Sequence, residues 1–168
     1  MHDSLPIPRA ILFDLDGVLI TSLENHFFTW STVLSDQGIS VTRRDIALGE
    51  GEKAEVSMRR FFQEKAGITP SDEFVMELVN RKRKLYRENS PPQINPEAHG
   101  LLQKLKASNV LLGLVTGSAR VNLESSLIPE EIALFSAIVS GEENLPGKPD
   151  PAPYLEAMKR LHCEPAEC

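Results

Sequence analysis

Cysteine is nearly absent: the 168 residues contain two, Cys163 and Cys168, both close to the C-terminal end. That count excludes a disulfide framework, so the pair reads as structural or incidental thiols and the core must come from apolar packing. A reducing compartment fits such usage. No apolar run reaches the roughly 20 residues that a membrane-spanning helix needs, and Met1-His2-Asp3-Ser4 lacks a basic segment leading into an apolar one. No membrane partner is expected, and the expected location is cytoplasmic. Surplus positive charge is missing as well: 18 Lys and Arg stand against 24 Asp and Glu, a net charge of -6. Nucleic-acid affinity rests on clustered cations, so a general nucleic-acid partner is excluded. The one basic run, Arg81-Lys82-Arg83-Lys84, lies inside a helical pattern (Phe74, Leu78, Leu85) and is read as a solvated helix face. Internal repeats and low-complexity tracts are also lacking.

What remains is an ordinary globular composition, 41% hydrophobic and 25% charged, in a chain long enough for one core plus a small accessory unit. Ala10 to Phe13 is short and apolar and ends in Asp14-Leu15-Asp16-Gly17, which predicts a buried strand that stops at a polar loop. Leu23, Phe27, Trp30 and Leu34 recur at helical spacing up to a stop at Gly38. A second helix is expected from about Glu52 to Ala66, stopped by Gly67. A third is expected from Thr69-Pro70-Ser71-Asp72, with Thr69 as the cap, to about Glu88. No strand pattern interrupts this stretch, so residues 22–89 are expected to be a helical insertion closed by the turn Ser90-Pro91-Pro92.

Helix and strand then alternate: a helix from Pro96 capped by Asn95, a strand over Val110–Val115, a helix after Ser118, a strand at Ala137–Val139 and a helix from about Pro151 to His162. This alternation predicts an α/β fold, a Rossmann-like parallel sheet with helices on both faces, formed by residues 1–21 and 90–168. In open parallel sheets ligands bind beyond the carboxyl ends of the strands. Those ends carry Asp14 and Asp16, then Thr116-Gly117-Ser118, then Ser140-Gly141-Glu142-Glu143 with Lys148 a short loop further on.

Taken in order, Asp14-Leu15-Asp16-Gly17-Val18, Val115-Thr116-Gly117-Ser118 and Gly147-Lys148-Pro149-Asp150-Pro151 resemble the first three signature motifs of the haloacid dehalogenase superfamily. The helical insertion falls where that family carries a small cap domain. The resemblance implies Asp14 as a nucleophile that forms an aspartyl-phosphate and Asp16 as general acid and base. It implies magnesium held by Asp14 and the backbone carbonyl of Asp16, and a phosphate cradle of Thr116, Gly117 and Ser118. Lys148 would neutralise charge on the transferring oxygens. Glu24, His26 and Trp30 follow the first motif with a spacing similar to that of β-phosphoglucomutases, in which such a histidine couples phosphate transfer to cap closure. Read from the residues alone, His26 is equally a half-buried helix residue, and Arg120 either approaches a substrate phosphate or faces water. Glu142 and Glu143 read as a solvated loop pair.

The implied partner is a small phosphorylated metabolite, phosphoglycolate or a sugar phosphate. A phosphomutase is the nearest alternative, and a dehalogenase is disfavoured by Asp16. Thr21 stands where relatives usually have aspartate. The family's fourth motif, an acidic pair that supplies a further metal ligand, does not occur before Cys168. A truncated chain is therefore expected, with the last strands of the sheet missing, one sheet edge open to self-association, and a non-catalytic phosphate-binding module as the second functional class.

Overall fold

Four apolar residues, Ala10–Phe13, form strand β1, and the chain turns sharply at Gly17 before entering helix α1, Leu23–Ser35. A computed structural model describes residues 8–89 and 91–168; Met1–Ser4, and Ser90 of the expected turn, lie outside the described residues. The insertion continues as α2 (Arg43–Ala47), α3 (Ala54–Ala66) and α4 (Asp72–Glu88), and α3 stops at Gly67 as expected. The cap of α4 is Ser71 rather than Thr69: the Ser71 hydroxyl accepts from the amide of Phe74 at 3.3 Å. Serine at this position satisfies one of the orphan amides of the first turn, which places the helix start two residues later than the proline suggested.

Beyond the insertion come α5 (Pro96–Ala107), β2 (Leu111–Val115), α6 (Arg120–Ser126), the short α7 (Pro129–Ile132), β3 (Ala137–Val139) and α8 (Ala152–Leu161). A 3-10 turn at Pro165–Glu167 follows. The sheet is parallel, in the order β1-β2-β3, with Ala10 opposite Leu111 and Gly113 opposite Ala137. Side chains alternate across a strand, and β2 buries both of its faces. Leu112 and Leu114 pack with Leu102 of α5 and Leu123 of α6, while Val115 meets Ala157 of α8 on the other side.

The insertion has its own buried cluster, built from Trp30, Val33 and Leu34 of α1, Met58, Phe61 and Phe62 of α3, and Val75, Leu78 and Val79 of α4. The two clusters meet through Tyr86 of α4, which is 2% exposed and whose hydroxyl lies 3.4 Å from Ser126 Oγ of α6. No helix among the described residues is long and apolar enough to cross a membrane.

Leu114 is fully buried at the centre of the sheet, whereas Leu48 is 71% exposed. Leu114→Ala is expected to lower unfolding free energy by about 2–5 kcal/mol through lost burial and a residual cavity, and Leu48→Ala by about 0.5 kcal/mol or less. Urea denaturation midpoints at a common m-value check the contrast.

Candidate active site

The carboxyl ends of β1 and β2, together with the loop before α8, bring the three motifs to one place. Asp14 follows β1, and its Oδ1 accepts from the Leu15 amide at 2.8 Å. Lys148 Nζ lies 2.9 Å from the same oxygen and donates to the carbonyl of Val115, the last residue of β2, also at 2.9 Å. One lysine thus ties the first motif to the end of the central strand. Both contacts to Asp14 fall on Oδ1, which leaves Oδ2 for chemistry.

Asp16 is held more deeply. Its Oδ2 accepts from the Ser118 hydroxyl at 2.8 Å, with Thr116 Oγ1 at 3.5 Å, while its Oδ1 lies 2.9 Å from His26 Nε2 of α1. The other ring nitrogen, Nδ1, lies 3.0 Å from Lys82 Nζ of α4. An ammonium can only donate, so Nδ1 is the acceptor, and the Nε2–H of a neutral ring donates to the carboxylate. Burial, reinforced by the Lys82 charge, pushes the His26 pKa down and favours that neutral ring. Burial alone would raise the Asp16 pKa, but His26 and Ser118 outweigh it and hold the carboxyl below the usual carboxylate range. Burial lowers Lys82 to about 8, with the attraction of Asp16 opposing the fall. Tyr86 stacks on the imidazole at 4.9 Å between ring centroids and fixes its plane.

Lys82 overturns the reading of the basic run as a solvated face. It is 4% exposed, and Arg83 beside it pairs with Glu55 at 2.8 Å with 13% of its side chain exposed; only Arg81 and Lys84 turn outward. The missed signal was helical phase: Val75, Leu78, Val79, Lys82 and Tyr86 share the buried face of α4, so a lysine stands in an apolar stripe. Arg120 is not brought to the site. It opens α6 on the exposed side, where its Nε donates to Glu124 one turn later at 2.8 Å. Glu143 binds Arg160 with both carboxylate oxygens at 3.1 Å. Glu142 accepts from the Arg120 amide at 3.1 Å. Glu24 is tied to Arg43 at 2.7 Å on the exposed side of α1, and Trp30 belongs to the insertion's own core.

The loop between α2 and α3 reaches over the sheet. A Cβ on Gly117 would lie 2.4 Å from the carbonyl oxygen of Gly51 and 2.6 Å from that of Glu52, so only glycine lets the insertion seat there. This loop also delivers Glu50, which sequence reasoning passed over. Burial and the nearby charges of Asp16 and Asp14 raise its pKa. Three carboxylates therefore create a negative potential beside Asp14, although no three acidic, histidine or cysteine side chains among the described residues converge as a ready ligand set. Carboxylate oxygens are the donor type of a hard cation such as magnesium, which takes few protein oxygens and completes its shell with water and substrate.

The fold and site define a Rossmann-like phosphoryl-transfer protein, and the comparisons with known proteins agree. The family model for haloacid dehalogenase-like hydrolases matches residues 8–168, and the chain belongs to that family. It is 29% identical over 170 residues to β-phosphoglucomutase of Bacillus subtilis (strain 168), an alignment that covers 95% of this chain and 73% of that protein. It is 28% identical over 163 residues to a phosphorylated carbohydrates phosphatase of Thermotoga maritima, across 94% of this chain and 72% of the relative. A solved structure of a candidate β-phosphoglucomutase from Bacteroides vulgatus superposes with a TM-score of 0.82 at 27% identity, and the chain spans 94% of its own length and 65% of that structure.

Lys82→Met is expected to lower turnover of phosphate esters roughly 100-fold, the low end for losing control of a proton-transferring group. In the unsubstituted protein activity should fall as pH rises through about 8, where Lys82 loses its proton, and the variant should lack that inflection. Stability moves the opposite way: between about 8 and the ordinary lysine value of 10.5 the folded state binds one proton fewer there than the unfolded chain, so this group's contribution rises with pH. A pH–rate profile and denaturant titrations at pH 7 and 9 separate the two. Gly117→Ala is expected to raise KM by about 10-fold or more through the blocked approach of the insertion, measurable by steady-state kinetics.

Proposed function

We propose that this protein is a magnesium-dependent phosphohydrolase. It removes the phosphoryl group of a small phosphorylated metabolite, a sugar phosphate or phosphoglycolate, through an aspartyl-phosphate on Asp14. Residues 22–89 act as a cap over a catalytic unit of residues 1–21 and 90–168. The observation that carries this reading is the Asp14 carboxylate held 2.9 Å from Lys148 beside a second carboxylate, Asp16, that is ionised and bound at both oxygens.

An Asp14 oxygen attacks phosphorus in line, and the bond from phosphorus to the ester oxygen breaks. Asp16 gives its proton to the departing oxygen and later takes one from the water that hydrolyses the aspartyl-phosphate, regenerating Asp14 and releasing phosphate. At rest Asp16 is ionised, the form needed for the water step. A phosphate arriving beside it adds a like charge that raises its pKa and favours the protonated form needed for the first step. Lys148 and the backbone at Gly117 neutralise and hold the equatorial oxygens, and Ser118 keeps Asp16 in place. Asp14 and the backbone carbonyl of Asp16 would hold a magnesium ion, which would supply further charge neutralisation at the phosphoryl group. The names of the relatives, a phosphatase of phosphorylated carbohydrates and a sugar phosphomutase, support a carbohydrate ester as substrate.

The line from Lys82 through His26 to Asp16 favours a second reading, a phosphomutase. Two of its three members stand on the insertion, so the proton-transferring state of Asp16 depends on closure, as an enzyme that must exclude water as acceptor requires.

Asp14→Asn should reduce p-nitrophenyl phosphate turnover by at least about 1,000-fold, since no nucleophile replaces it, and chelation should abolish turnover until magnesium is restored. Retained activity in that variant would sink the reading. Phosphorus NMR of a sugar 1-phosphate reaction separates the alternatives: free phosphate for the hydrolase, isomerised ester for the mutase.

A further inference from the structure

Lys53 stands on the insertion and binds the core. Its Nζ donates to the main-chain carbonyl of Glu143 at 2.7 Å, while the carboxylate of Glu143 is committed to Arg160 of α8, with both oxygens at 3.1 Å. The same carbonyl accepts from the Leu145 amide at 2.8 Å, which folds the loop that leads to Gly147 and Lys148. Lys53 immediately precedes α3, and its own carbonyl accepts from the amides of Val56 and Ser57 in the first turn of that helix. Met58, Phe61 and Phe62 of α3 lie in the core of the insertion. The position of the Lys53 backbone is therefore set by the packing of the insertion, and the position of the Glu143 loop is tied to Lys53.

Two glycines let the side chains of Lys53 and Lys148 cross. A Cβ on Gly147 would lie 3.1 Å from Lys53 Cγ, and a Cβ on Gly51, where φ is +85°, would lie 3.0 Å from Lys148 Cδ. The stem of the insertion's lysine thus lies on the core's glycine, and the stem of the core's lysine lies on the insertion's glycine. The hollow lined by Gly51, Lys53, Gly147 and Lys148 measures about 10 Å³, room for one water at most. Tyr154 of α8 backs the Lys148 ammonium, with 5.2 Å from Nζ to the ring centroid. A lysine stem is flexible and its head goes where packing confines it; here part of that confinement is the backbone of the insertion. Contacts this close transmit a displacement instead of absorbing it. The loop of Gly51 also walls the cavity of about 50 Å³ between the insertion and the sheet.

We propose that Lys53 is a positioning residue for Lys148. By fixing the Glu143 loop and seating Gly51 against the Lys148 stem, it holds that ammonium between Asp14 Oδ1 and the Val115 carbonyl. Lys53 acts through Lys148 and not on the reacting atoms. This clasp is separate from the line of Lys82 and His26: that line bears on Asp16, and the clasp bears on the cation beside Asp14. The inference rests on the phosphohydrolase reading, in which Lys148 neutralises the transferring oxygens, and adds a residue to it.

A double-mutant cycle on the full chain, with magnesium and p-nitrophenyl phosphate, tests it through Lys53→Met, Lys148→Met and the two combined. Lys53→Met is expected to lower kcat by about 10-fold, as a small misplacement of a charged group predicts. In the Lys148→Met background the same substitution should cost less than about 2-fold, since a residue that acts through another adds little once that other is gone. A merely structural role would lower kcat by the same factor in both backgrounds. Lys53→Gln, too short to hold the carbonyl, stands in if Lys53→Met does not fold. Carbon NMR of protein labelled at lysine Cε reads the placement without turnover: the Lys148 resonance, assigned by its loss in Lys148→Met, should shift in the Lys53 variant. That measurement keeps its meaning if Asp14→Asn retains turnover and the phosphohydrolase reading falls. An equal loss in both backgrounds, or a Lys148 resonance that stays in place, overturns the inference.

Discussion

Everything around the site follows from keeping one carboxylate, Asp16, charged in a place nearly closed to water. A buried ion survives only with its lone pairs satisfied and a counter-charge nearby. Ser118 at the end of the central strand satisfies one oxygen, and His26 of the insertion satisfies the other. The counter-charge, Lys82, sits one residue further back, separated from Asp16 by the imidazole. The cation thus stands behind a neutral ring and makes no direct pair with the anion.

That arrangement makes the insertion part of the surroundings of Asp16. α1 and α4 carry His26 and Lys82, and their relative position is set by the apolar cluster of Trp30, Val33, Leu78 and Val79. The same body presents the backbone of Gly51 and Glu52 to Gly117 with no room for a side chain. Packing in the insertion and ionisation at the sheet are thereby coupled: the geometry that orients Asp16 is the geometry that closes the cavity. Such coupling serves a hydrolase that must accept a substrate before water and a mutase that must accept it instead of water, and similarity to both kinds of relative is consistent with that.

The site also explains its own charge pattern. Asp14, Asp16 and Glu50 crowd one end, where Lys148 is the direct cation, and a hard divalent ion would relieve their repulsion. At the insertion end each cation is already matched by a carboxylate or an imidazole. In a chain with a net charge of -6, the cations of the site thus stand singly among carboxylates, Lys148 on Asp14 and Arg83 on Glu55, and do not form a general basic surface.

The sequence alone determined the α/β class, the order of the strands and of the longer helices, and the residues at the strand ends, but not the short helices α2 and α7. Those features are local: apolar runs, caps and turn residues dictate them within a few positions. Asp14, Asp16, Thr116 and Lys148 were legible because each sits at a fixed offset from such a run. The burial of Lys82 against His26 and the placement of Glu50 beside Asp14 and Asp16 were decided only by tertiary structure. Each belongs to a helix or loop whose local pattern admits a solvated side chain, and what buries it is the docking of the insertion on a sheet assembled from segments just over a hundred residues apart, as between Asp16 and Ser118. Arg120 shows the converse: it lies two residues beyond Ser118, yet helical phase turns it outward to Glu124. Adjacency in sequence placed it near the site, and the direction of one side chain removed it.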